Sequence, residues 1–103
     1  MTLFEIPISP IPSSEFGIIL KFQECIIRLI TRGRRLYFDI EKNGIIILEG
    51  RICQNKNPLV PYKYLDFSGN IYFVDTIANN DPVYNGLGSR YFLVYDDKID
   101  EAA

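Results

Sequence analysis

A length of 103 residues limits the chain to one domain, because a second domain would have almost no core of its own. Hydrophobic residues make up 48% of the sequence, which predicts a packed interior rather than disorder. The absence of histidine excludes His metal ligands and Ser-His-Asp sites, and the net charge of −2 argues against binding nucleic acid through phosphates.

The first segment, residues 1–15, carries three prolines and is predicted to be an extended, proline-rich N-terminal arm. Glu5 and the prolines argue against a signal peptide, and no apolar run reaches the length of a membrane span. We therefore expect a soluble protein made in a cytoplasm. The apolar residues of the arm either pack on the chain's own domain or dock on a neighbouring subunit: Leu3, Phe4, Ile6, Ile8 and Ile11.

Residues 16–96 are predicted to form a single β domain. Alternating patterns of side chains, or runs of β-branched residues, predict about six strands, at 16–21, 25–31, 35–41, 45–52, 70–76 and 90–96. Short strands separated by turn signals are typical of a small antiparallel β-barrel or sandwich, so the predicted fold class is all-β.

Turn signals separate the predicted strands. Phe22-Gln-Glu, Thr31-Arg-Gly-Arg and Asn43-Gly44 connect the first four strands into a meander, and Gly50 predicts a bend or bulge. One short helical turn is predicted around Pro61 to Leu65, and residues 97–103 are predicted to be a flexible acidic tail.

The arginines at the second turn are the first candidate site. Arg32, Arg34 and Arg35 lie near Tyr37, an arrangement that could contact a phosphate backbone and stack a base. The same residues could instead form the solvated rim of a hairpin or contact an acidic surface of another protein. The acidic residues of the same meander favour the last two interpretations over nucleic acid.

Three further features have plain structural interpretations. Gly86-Leu-Gly-Ser89 lacks the spacing of a phosphate-binding loop and is predicted to be a turn that sets the register of the last strand. Cys25 and Cys53 are expected to be buried thiols, since nothing in their spacing supports a zinc site. Asp39 and Asp66 lie near aromatics, but nothing places them in one pocket, so we expect no enzyme and no cofactor or metal.

Several segments, in this order, resemble the small plug proteins of contractile phage tail baseplates, of the cyanophage type. They are Ile6-Pro-Ile-Ser-Pro, Phe16-x-Ile-x-Leu20, Leu36-Tyr-Phe-Asp-Ile40, Asn43-Gly44, Tyr64-Leu-Asp-Phe-Ser-Gly69 and Leu87-Gly-Ser89 before Phe92-Leu-Val-Tyr95. Together they cover roughly residues 4–95. Leu36 departs from the Trp usual in that family, and Arg90 departs from the expected small residue.

The resemblance implies a structural virion protein of the tail baseplate, assembled in the host cytoplasm. It would plug or brace the hub and spike region of the tail tube, with the hub, spike and tail-tube proteins as partners and several copies in the assembly. The residues expected to contact partners are those of the arm, the three arginines of the turn, and the aromatics Tyr62, Tyr64, Phe67, Tyr72 and Tyr91. The alternative is a small β-barrel that binds single-stranded nucleic acid through the turn Arg32–Arg35.

Overall fold

Seven β-strands, arranged in two antiparallel sheets, make up the computed structural model, which describes residues 3–60 and 67–97. The strands are β1 (Leu3–Ile6), β2 (Ser13–Leu20), β3 (Gln23–Arg32), β4 (Arg35–Lys42), β5 (Ile45–Ile52), β6 (Asn70–Asp75) and β7 (Tyr91–Asp96). The predicted all-β class is confirmed. The turn predicted at Pro61 to Leu65 and residues 98–103 of the predicted tail lie outside the described residues.

The four-stranded sheet is the predicted meander, with strand order β2-β3-β4-β5. On β3, Cys25, Ile27 and Leu29 are buried while the residues between them are half-buried, so alternation in the sequence becomes two faces of the sheet. Asn43 and Gly44 join β4 to β5 with φ angles of 52° and 81°, as a type I′ turn requires.

The predicted irregularity at Gly50 is a β-bulge. Phe38 pairs with Arg51 and Ile40 pairs with Leu48, so Asp39 alone faces two residues of β5. Gly50 takes a φ of 69°, and its N–H donates to Oδ1 of Asp39 at 2.8 Å. The bulge therefore places a carboxylate where the regular ladder is interrupted.

The three-stranded sheet has the order β1-β7-β6, and it contains a strand that was not predicted. Leu3–Ile6 pairs antiparallel with β7, and Ile6 is fully buried. β2 begins at Ser13, three residues before the predicted start of the domain. The first part of the segment expected to be an arm is thus an edge strand of the chain's own sheet.

The two sheets enclose one hydrophobic core, to which every strand contributes except β5, whose Ile47 and Leu48 pack against it half-buried. The described strands do not close into a barrel, since the two sheets remain separate. Backbone bonds from Lys56 to Phe73 and from Leu59 to Ile71 cover the outer side of β6. β1, β2 and β5 each pair on one side only among the described strands.

Both cysteines are buried free thiols, as predicted. Burial raises the pKa of Cys25 to about 11, and burial also raises the pKa of Cys53 far above its usual value. Thiols held protonated in this way are poor nucleophiles at neutral pH.

Candidate interaction surfaces

The arginine turn, residues 31–35, is the exposed hairpin end between β3 and β4. Arg32 lies over the ring of Tyr37, with 5.8 Å from the guanidinium carbon to the ring centroid. Arg35 contacts Asp81 at 3.4 Å, and both side chains are exposed. Arg34 has no hydrogen-bond or ion-pair partner among residues 3–60 and 67–97.

A groove of about 240 Å³ lies beside the arginine turn, between it and the loop that contains the 3₁₀ turn Tyr84–Gly86. Val83 and Tyr84 are exposed along it. The groove thus offers cations beside apolar surface, which suits a protein segment as well as a nucleic acid. With Arg35 beside Asp81 and Arg32 against Tyr37, Arg34 offers the least engaged guanidinium of the three.

Arg28 does not belong to this surface. Its Nε lies 2.9 Å from Oε1 of Glu15, and a second nitrogen contacts Glu41. The two carboxylates raise the pKa of the guanidinium, and the three residues form a charged row across β2, β3 and β4. Cross-strand charges of this kind keep the outer face of a sheet soluble.

The apolar candidates near the N-terminus divide into two groups. Leu3, Phe4 and Ile11 are exposed, whereas Ile6 is buried and the half-buried Ile8 packs against the core. Only the first group is available to a partner in this conformation.

The aromatic candidates divide in the same way. Phe67 and Tyr91 are buried, and Phe67 packs edge-on against Tyr95 with ring centroids 6.1 Å apart. Tyr72 is half-buried, and burial together with the neighbouring Asp96 raises its pKa. Tyr62, Tyr64 and Asp66 lie outside the described residues.

Asp75 and Arg90 form an ion pair that the sequence did not predict. Both oxygens of the buried Asp75 carboxylate accept hydrogen bonds from the Arg90 guanidinium at 2.9 Å. The backbone N–H groups of Ile77 and Asn80 donate to the same carboxylate at 2.9 Å. The Arg90 guanidinium holds the pKa of Asp75 well below its usual range, and the backbone N–H groups lower this pKa by a smaller amount. The ion pair therefore holds the two ends of the loop 76–90 together.

Gly86-Leu-Gly-Ser89 forms a turn next to β7, in line with its structural interpretation. Leu87 is buried, and Arg90 N–H donates to Gly86 O at 2.9 Å. Gly88 has a φ of 82°, and a Cβ there would lie 2.9 Å from the carbonyl oxygen of Ile8. The absence of a side chain at Gly88 therefore allows the N-terminal segment to pack closely against this loop.

A surface around Phe22 was missed at the sequence level. Phe22 is 97% exposed at the β2–β3 turn, where Lys21 and Phe22 have φ angles of 50° and 66°. A bulky residue with positive φ is uncommon and strained. A groove of about 300 Å³ runs from Phe22 past Ile19 to Phe4. The sequence signal was a phenylalanine inside a predicted turn, where polar residues are usual.

The chain matches a family of known proteins. Residues 3–98 match the family described as "Cyanophage baseplate Pam3 plug gp18", a span that includes all seven strands. No curated protein matches the chain. Within the described residues, no helix is long and apolar enough to cross a membrane.

Proposed function

The chain belongs to the cyanophage baseplate plug family, and we propose that it plugs or braces the hub and spike region of a phage tail tube through protein–protein contacts. The observation that carries the proposal is the extent of the family match, which spans residues 3–98 and hence the complete two-sheet fold. Its partners would be hub, spike and tail-tube proteins, contacted by several copies of the chain.

The surface that best supports docking is the Phe4–Phe22 surface, formed by Phe4, Ile19 and Phe22. All three side chains are exposed, and Phe22 is 97% exposed. Exposed aromatic and aliphatic side chains grouped around a groove are typical anchors of protein interfaces. The strained backbone at Phe22 agrees with this role, since strain at a surface turn is retained most readily where the side chain is used.

The free side of β1 extends the same surface. β1 pairs with β7 on one side only among the described strands, so its outer N–H and C=O groups can accept a strand from a partner. Strand addition provides main-chain hydrogen bonds, while Phe4 and Phe22 would provide the apolar contacts.

The first test is mass spectrometry of purified virions and separated tails of the phage that encodes the chain. We expect the chain in the tail fraction, at a fixed number of copies per particle. Absence from virions, with abundance in infected cytoplasm, would contradict the proposal.

The second test addresses the docking surface by complementation with variants. Phe4→Asp combined with Phe22→Asp should exclude the chain from tails while leaving its circular dichroism unchanged, because both side chains are exposed. Ile77→Asp is the matched control, since Ile77 is 72% exposed but lies in the loop 76–90. Normal incorporation of the double variant would show that partners bind elsewhere.

A further inference from the structure

The outer face of the four-stranded sheet carries a trough that shares only Ile19 with the Phe4–Phe22 surface. The trough has a volume of about 670 Å³, near the β2–β3 and β4–β5 turns. We call it the Gly17 trough; its outward-facing residues are Gly17, Ile19, Glu24 and Ile26, and Asn43 and Gly44 border it.

Nothing inside the chain requires glycine at position 17. Its φ lies outside the left-handed region, and a Cβ would meet only the Cys25 carbonyl oxygen at 3.7 Å, an ordinary contact. Glycine weakens a strand, and in a strand interior it often marks a place where another backbone approaches closely. The missing side chain opens the trough between Ile19 and the Glu15–Arg28 pair.

Glu24 lines the trough, and two further carboxylates lie next to it on the same face of the sheet. The Glu24 carboxylate is exposed and has no partner in the described part of the chain, while Glu15 and Glu41 share the single guanidinium of Arg28. An occupant of complementary chemistry would therefore carry cations on a narrow segment beside apolar atoms.

The arginine turn has these properties and lies at the opposite end of the same sheet. Antiparallel pairing puts the β3–β4 turn at one end and the β2–β3 and β4–β5 turns at the other. The turn projects into open space at Gly33, since no atom lies within 4 Å of where a Cβ of Gly33 would be. Arg34 has no partner among the described residues, and Val83 and Tyr84 provide apolar surface beside it.

We infer that copies of this chain associate head to tail, with the arginine turn of one copy seated in the Gly17 trough of the next. Arg34 then meets Glu24, and the turn backbone passes over Gly17. The two surfaces are different, so the contact is heterologous and builds a ring or a short filament rather than a two-fold dimer. The inference rests on these two surfaces and does not require the baseplate role.

Sedimentation velocity on the full chain at low salt, over a range of concentrations, tests the contact. Glu24→Lys and Arg34→Glu should each weaken association by about tenfold or more, because each places like charges opposite one another. A mixture of the two variants should associate again, since the turn of each variant chain is complementary in charge to the trough of the other. Gly17→Leu, which fills the trough, should weaken association without any change of charge.

Matched controls separate a specific contact from a general charge effect. Glu49→Lys and Lys56→Glu make the same changes of charge at exposed positions outside both surfaces, and both should associate like the wild type. A chain that stays monomeric up to about 1 mM at low salt overturns the inference. So does association that is insensitive to Glu24→Lys and Arg34→Glu, or a mixture of these variants that stays monomeric.

Failure of self-association can be distinguished from failure of the baseplate proposal. A monomeric chain that is still found in tails overturns self-association and leaves the baseplate role intact. If the chain is monomeric and Glu24→Lys also fails to enter tails, the trough binds a different baseplate protein and self-association is again overturned.

Discussion

The Asp75 carboxylate, at the end of β6, forms hydrogen bonds with the loop 76–90 and with Arg90, the residue before β7. The pairing register brings Asp75 opposite Tyr91, next to Arg90, and the guanidinium of Arg90 also lies 4.9 Å from the Tyr91 ring centroid. Arg90 stood out in the sequence as a departure from the family pattern. Its partner could not be predicted, because only the register of two strands brings the charges together.

We expect Asp75→Asn to destabilise the fold at pH 7 and to do so less at pH 3. The pKa of Asp75 is lower in the folded state than the unfolded value of about 3.9, so the unfolded chain binds the proton more readily. The carboxylate therefore adds stability above about pH 4, and this contribution is lost as the pH falls towards the folded-state pKa. Urea unfolding at the two pH values measures the difference.

Asp81→Asn is the control for this experiment. Asp81 is exposed and lies 3.4 Å from Arg35, so its loss should change the urea midpoint little at either pH. An equal destabilisation by Asp75→Asn at pH 7 and pH 3 would contradict the role assigned to the Asp75 charge.

Gly88→Ala should destabilise the fold by about 1–3 kcal/mol, because the added methyl group combines an unfavourable φ with a collision. The φ is 82°, and the Cβ would lie 2.9 Å from Ile8 O. Gly33→Ala is matched in φ, at 63°, but meets no atom within 4 Å, so it should cost less. Equal losses in thermal unfolding would show that Ile8 does not pack closely on this loop.

At the scale of elements, the strands that the sequence predicted are those with long alternating or β-branched runs. β3, β4, β5, β6 and β7 lie within two residues of their predicted bounds. β1 was missed because a four-residue strand is too short for a clear period, and the prolines that follow it favour an extended arm. The positive φ angles at Lys21 and Phe22 were also missed, because neither residue is typical of a type I′ turn.

The geometry of the candidate surfaces follows from the sequence only in part. The position of the arginine turn follows from Gly33 and the flanking strands, but the contact of Arg35 with Asp81 spans 46 residues and depends on the fold. Ile6, Phe67 and Tyr91 are buried. Their burial could not be predicted, because it depends on which face of the chain meets the core. The apolar sequence alone does not distinguish an anchor for a partner from a core residue.

Side-chain truncations within β1 distinguish a strand of the domain from a free arm. We expect Ile6→Ala to lower the free energy of unfolding by about 2–5 kcal/mol, because Ile6 is fully buried between the sheets. Leu3→Ala should change it by no more than about 0.5 kcal/mol, since Leu3 is 54% exposed. Chemical denaturation measures both. A neutral Ile6→Ala would mean that the N-terminal segment is not held by this core.

At the scale of the whole molecule, the two sheets depend on each other. Phe38 of β4 and Phe73 of β6 are fully buried in one cluster, and the Gln23 side chain of β3 bonds the backbone of Ser68, just before β6. The sequence did not distinguish a barrel from a sandwich, because closure of a barrel depends on which edge strands pair. Here the connection between the sheets is made by side chains rather than by a continuous ladder of hydrogen bonds.

A shared core predicts that both sheets unfold in one transition. Neither sheet can bury its inner face alone, so loss of one exposes the other to water. The amides of Leu29 in β3 and Leu93 in β7, followed by NMR, should therefore lose their native signals at the same temperature. Phe38→Leu and Phe73→Leu should each lower that temperature for both amides, by about 5 °C for each kcal/mol of lost stability. Separate transitions for the two amides would mean that the sheets are independent units, and the surfaces proposed for partner binding and self-association could then move relative to one another.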